Sequence, residues 1–93
     1  MVVNLLAAQR NDVSRLTHAF LENQDLNRAG YDGMTLLHVA AGHNSFDAVQ
    51  FLVEKATVNV DQRDRRGRSA LDHAMKAGDN DIVQYLMSQM LQQ

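Results

Sequence analysis

At 93 residues the chain has room for one domain at most. An apolar content of 45% and a charged content of 22% exclude the disordered and collagen-like classes, and a net charge of −2 gives no global pull toward nucleic acid or acidic lipid. The absence of cysteine removes disulfides, thiolate metal sites and thiol nucleophiles, which permits a reducing compartment without requiring one.

The chain opens on Met1-Val2-Val3-Asn4-Leu5-Leu6, which lacks the basic start and long apolar stretch of a secretion signal. No apolar run approaches the ~20 residues needed to cross a bilayer. From here the sequence repeats itself. A shift of 33 carries Ala7 onto Ala40, Ala8 onto Ala41, Asn11 onto Asn44, Leu16 onto Val49, Ala19 onto Leu52 and Phe20 onto Val53. A shift of 34 carries Gly33 onto Gly67, Thr35 onto Ser69, Leu37 onto Leu71, Ala40 onto Ala74, Asp47 onto Asp81, Val49 onto Val83 and Leu52 onto Leu86. The matches fall on apolar and turn positions and skip the solvent positions, as a structural repeat requires.

The first unit, about 1–30, places Ala7 and Ala8 on one short helix and Leu16, Ala19 and Phe20 on a second, with Asn11 between them. Gly30-Tyr31-Asp32-Gly33 then reads as a turn. In the central unit, 31–63, Thr35 is the predicted N-cap of a helix carrying Leu37, Val39, Ala40 and Ala41, whose small alanines admit a close neighbour. Asn44 follows, and Ala48, Val49, Phe51, Leu52 and Val53 recur at helical spacing in a second helix. Asp64-Arg65-Arg66-Gly67 is the next turn, and the last unit, 64–93, repeats the helix pair from Ser69 onward. Asn11, Asn44 and Gly78 occupy the same inter-helix position, where Asn and Gly tolerate a left-handed backbone. Thr35-x-x-His38 and Ser69-x-x-Asp72 have the spacing of capping boxes. The carboxylate of the second also favours a helix N-terminus.

Thr35-Leu36-Leu37-His38-Val39-Ala40-Ala41 resembles the ankyrin hallmark T-P-L-H-x-A-A, without its proline. The expected fold is therefore an all-α ankyrin-repeat solenoid of three helix-turn-helix units joined by short hairpin-like loops, the outer two acting as caps. Such units bury their apolar faces only by stacking. Asp72 stands where the hallmark has histidine in the last unit, and Gly30 where an aspartate commonly opens the hairpin. A narrower resemblance covers nearly the whole chain. Val2-Val3-Asn4-Leu5-Leu6-Ala7-Ala8 with Asn11-Asp12-Val13-Ser14, Tyr31-Asp32, Val58-Asn59, Asp64-Arg65-Arg66-Gly67 and Leu71-Asp72-His73-Ala74 look like the C-terminal ankyrin region of animal-type glutaminases. That resemblance implies a parent enzyme hydrolysing L-glutamine to L-glutamate and ammonia, often as a mitochondrial homotetramer. It implies an intracellular location, mitochondrial if the parent is a glutaminase and cytoplasmic otherwise. The alternative is a piece of an unrelated ankyrin adaptor that binds a protein partner.

The glutaminase catalytic domain carries an S-x-x-K nucleophile motif. None of the four serines, at 14, 45, 69 and 88, is followed by lysine at that spacing, so no catalytic residue is expected in this chain. His18, His38, His43 and His73 lack an i, i+4 pairing and an H-E-x-x-H motif, so no metal or other cofactor is expected. His38 is instead expected to hydrogen-bond near the hairpin. Asp79 in a turn and Asp81 in a first helical turn are read as cap and dipole residues.

Binding surfaces are the remaining expectation. Arg63, Arg65, Arg66 and Arg68 cluster on the second inter-repeat loop, with Asp61 and Asp64 among them to halve the local excess. This is a solvated hairpin or a protein-binding finger, and it lacks the broad basic face and stacking aromatics of a nucleic-acid site. Tyr31, Asp32 and Met34 on the first loop are candidate partner contacts. Met87 has a counterpart in Val53, whereas Met90 and Leu91 extend past the repeat pattern. Either the last helix continues over its own core, or Met87, Met90 and Leu91 are end-face contacts, for the parent domain or for self-association.

Overall fold

A computed structural model describes residues 2–24, 26 and 33–91, with the side chains of 2–5 excepted. Six helices follow one another: α1 (Val2–Gln9), α2 (Val13–Leu21), α3 (Leu36–Gly42), α4 (Phe46–Glu54), α5 (Ala70–Ala77) and α6 (Asn80–Leu91). They pair as α1–α2, α3–α4 and α5–α6, and no strand occurs among the described residues. The first helices of the three pairs stack as α1 on α3 on α5, and the second helices as α2 on α4 on α6.

The local rules behind each pair are visible in the backbone. Asn11 (φ 58°), Asn44 (φ 58°) and Gly78 (φ 78°) all adopt the left-handed conformation, reversing the chain within two residues so that the second helix folds against the first. Both capping boxes form. Thr35 Oγ1 accepts from the His38 N–H while His38 Nδ1 accepts from the Thr35 N–H at 2.9 Å. Ser69 Oγ accepts from the Asp72 N–H, and Asp72 Oδ2 accepts from the Ser69 N–H at 3.0 Å. Asp79 Oδ1 accepts from the Ile82 N–H at the head of α6, and Asp81 lies in that helix's first turn.

The core runs the length of the stack. Ala7 and Ala8 on α1, Ala40 and Ala41 on α3, and Ala70 and Ala74 on α5 are all buried, and their small side chains let the inner helices touch. Leu16, Val49, Leu52, Ile82 and Leu86 fill the layer between inner and outer helices. Polar contacts then join neighbouring repeats. Asn11 Oδ1 accepts from the Ala48 N–H at 2.8 Å, and its amide donates to Asp47 Oδ2, so one repeat caps the outer helix of the next. Ser45 Oγ donates to the Gln9 carbonyl at 3.1 Å, and Tyr85 Oη donates to Glu54 Oε2 at 2.7 Å. The partial burial of the ring, and then its bond to Glu54, push the phenol well above its ordinary pKa.

The end of the stack differs from the sequence expectation at Leu71. Leu71 aligns with fully buried Leu37 but is only half-buried, because no following repeat covers it among the described residues. Met90 lies beyond the repeat pattern, where the alternatives are a free contact surface and a helix that continues over its own core. The unbroken α6 brings it back against the core, half-buried, while Leu91 is left 86% exposed.

Candidate interaction surface on the loop side

The loop between α4 and α5 is pinned at its base by the buried side chains of Val58 and Val60. Its tip closes through Asp64 N–H to the Arg68 carbonyl at 2.9 Å and Gly67 N–H to the Asp64 carbonyl at 3.0 Å, giving the hairpin-like connection expected of the unit. Gly33, from the preceding loop, lies directly against this turn. A Cβ at Gly33 would sit 3.1 Å from the Arg65 nitrogen, and its φ of +71° is one that residues with side chains rarely adopt. Gly33→Ala therefore meets both a backbone clash and a strained dihedral, and should cost about 1–2 kcal/mol in a urea melt. Gly67→Ala, where a Cβ would meet nothing, should cost less, and an equal loss at the two positions would refute the contact.

The carboxylate of Asp64 faces inward, with a side chain only 6% exposed. Its Oδ1 accepts from the Arg66 and Arg68 N–H groups at 2.9 and 3.0 Å, and Oδ2 accepts from His73 Nε2 at 2.9 Å. The Arg68 N–H first, then the His73 ring, hold this carboxyl down at about 2. The His73 ring meets the His38 ring edge-on, 5.3 Å between centroids. Since His38 Nδ1 accepts from Thr35, its proton is on Nε2, which donates to the Arg68 carbonyl at 3.1 Å. One network thus ties two repeats and the loop between them. Sequence reading anticipated that His38 would bond near the hairpin, but it counted Asp64 as offsetting the arginines. The carboxylate is spent instead on the loop's own N–H groups and on His73.

That inward turn leaves the loop's cations facing outward. Arg63, Arg65, Arg66 and Arg68 are all exposed. Arg63 reaches Asp61 at 3.9 Å and donates to the Gly67 carbonyl at 3.0 Å. Arg66 and Arg68 join Met34, Asp64, His73 and Lys76 around a cavity of about 230 Å³. Of the first-loop candidates, Met34 is half-buried at this cavity, whereas Tyr31 and Asp32 lie outside the described residues. Lys76, which the sequence did not single out, joins because it lies one helical turn beyond Asp72 on α5 and next to the loop. The end-face candidates lie elsewhere, on α6: Met87 is 50% exposed and Leu91 protrudes.

The residues around the cavity offer hydrogen-bond donors and positive charge. Among the described residues, no group of three or more His, Asp or Glu side chains is arranged to hold a metal. No described helix is long and apolar enough to cross a membrane.

A family model for ankyrin repeats, in three copies, matches residues 5–92. The chain belongs to the ankyrin-repeat family. These repeats form a non-catalytic protein-interaction module. The chain is 42% identical over 86 residues to the mitochondrial liver isoform of glutaminase from Rattus norvegicus, and 41% identical over 86 residues to that from Mus musculus. Each match covers 91% of this chain and 14% of the relative, so the chain spans about one seventh of the length of these enzymes. It is also 39% identical over 62 residues to the ankyrin repeat domain-containing protein SOWAHB of Xenopus laevis, covering 67% of this chain and 8% of that protein.

Proposed function

We propose that this chain is the ankyrin region of a glutaminase, a protein-binding and assembly appendage of an amidohydrolase that converts L-glutamine to L-glutamate and ammonia. The observation that carries this reading is the breadth of the similarity to liver glutaminase. The similarity, 42% identity, runs over 91% of the chain, across the loops between repeats as well as the helices, and is not confined to the ankyrin hallmark stretch. The match to SOWAHB stops at 67% of the chain, yet its identity is comparable, and it favours the second reading, an ankyrin adaptor with a different parent. On the first reading the parent is mitochondrial, as the liver enzymes are by name. Tyr31, Asp32, Met34 and the loop arginines then serve as partner contacts, and Met87, Met90 and Leu91 as contacts to the parent's other domains or to a second copy.

The sequence of the complete transcript decides between the two. A preceding domain bearing S-x-x-K supports the glutaminase reading, and its absence from the full coding sequence leaves the adaptor. The purified chain should release no ammonia from L-glutamine above a buffer blank. Turnover proportional to its concentration would overturn the assignment of catalysis to another part of the parent.

A further inference from the structure

We propose that the cavity between the second inter-repeat loop and α5 is a docking groove for an acidic peptide segment of a partner protein. The proposal rests on the reading of the chain as an interaction module and is independent of which parent carries it. Three cationic side chains, Arg66, Arg68 and Lys76, converge on one cavity of about 230 Å³. None of the three makes an ion pair with a described residue. Such a concentration of cations is unexpected on a chain whose net charge is −2.

The carboxylates near the cavity are turned to partners of their own, and Asp64, though ionised, has a side chain only 6% exposed. Asp64 lines the cavity, but both its oxygens are bound, to the Arg66 and Arg68 N–H groups and to His73. Asp72, one turn before Lys76 on α5, accepts from the Ser69 N–H in the capping box. Asp61 lies beside Arg63, outside the cavity lining. The internal bonds of Asp64 fix the backbone from which Arg66 and Arg68 project. An ordered loop reduces the entropy lost on binding. Two guanidiniums match carboxylates by paired hydrogen bonds, and Lys76 adds a point charge on the helix side. Half-buried Met34 supplies an apolar wall. The fitting ligand is therefore an extended segment with two or three Asp or Glu side chains and one apolar side chain beside them. Among the described lining residues there is no Phe, Tyr or Trp on which bases could stack, which disfavours single-stranded nucleic acid despite the charge.

Fluorescence anisotropy of a short labelled Glu/Asp-rich peptide carrying one leucine, titrated with the 93-residue chain at low salt, tests the assignment. The combined variant Arg66→Glu, Arg68→Glu and Lys76→Glu should weaken binding at least about tenfold. Arg10→Glu with Lys55→Glu, which changes charges outside the groove, should leave Kd within about twofold. The milder set Arg66→Gln, Arg68→Gln and Lys76→Gln, with thermal melts of every variant, separates a lost site from a lost fold. Binding by the parent chain that falls in both groove variants and survives in the control supports the proposal. It is overturned by no binding, by equal loss in the control, or by a poly-uridine RNA oligonucleotide binding as tightly as the peptide through the same three side chains.

Discussion

Leu37→Asp is expected to abolish the cooperative fold. Leu37 is 1% exposed on α3, the helix that touches α1, α4 and α5 and so links all three repeats. The substitution removes a buried leucine, worth about 1.5–3 kcal/mol. It also puts a carboxylate where no counter-charge can reach it, at a cost of about 3–5 kcal/mol. A domain of this size has roughly 5–14 kcal/mol of total stability, and against the lower half of that range a loss of about 5–8 kcal/mol consumes most or all of it. Far-ultraviolet circular dichroism should show helix content largely lost at 25 °C, with no sigmoidal melt. Leu71→Asp, at the aligned position one repeat later, should behave differently. Leu71 is half-buried at the open end of the stack, and a carboxylate there keeps access to water. A loss of about 1–2 kcal/mol with a cooperative melt is expected. Identical behaviour of the two variants would refute the placement of Leu71 at the end of the stack.

The contrast between these leucines shows what a repeat pattern can and cannot convey. Much that is decided within a few residues was legible: the left-handed Asn11, Asn44 and Gly78, the two capping boxes, and the alanines that admit close helices. Each follows from backbone geometry and side-chain size alone. What depended on stacking was not. The alignment of Leu71 with Leu37 says nothing of which one has a neighbour on its far side. Asn11 was read only as a turn residue, yet its side chain caps α4 across a sequence separation of 37. The loop arginines were legible as a cluster, but their outward-facing charge depends on where Asp64 points. The D-x-x-G turn is a hint of that direction, since an aspartate before a tight turn commonly accepts from the following N–H groups.

Acidification should destabilise the domain in two stages, and His38→Leu should remove the first. His38 is buried, and burial first, then the neighbouring His73, lower its pKa below 6.5, against the smaller opposing effects of the Arg68 carbonyl and Asp64. A histidine whose folded pKa is lowered stabilises the fold above the unfolded value and loses that contribution as pH falls through 6.5 toward the folded value. The structural reason is specific, because protonation at Nδ1 would remove the acceptor that caps Thr35 N–H. Asp64, held at about 2 against an ordinary 3.8, also stabilises above its unfolded value, and its share is lost as pH falls from 3.8 toward 2. Urea melts at a series of pH values should thus show a plateau above about pH 7, a decline below about 6.5, and a further decline below about 4. Leucine at position 38 keeps much of the side-chain volume but leaves the Thr35 N–H and the Arg68 carbonyl without their partner. Stability at pH 8 should therefore fall by about 2–3 kcal/mol. The variant's stability should change less than the parent's between about pH 7 and 5, while the acid decline assigned to Asp64 persists. An unchanged pH slope in that interval would show that another group, and not the bridging His38, carries it.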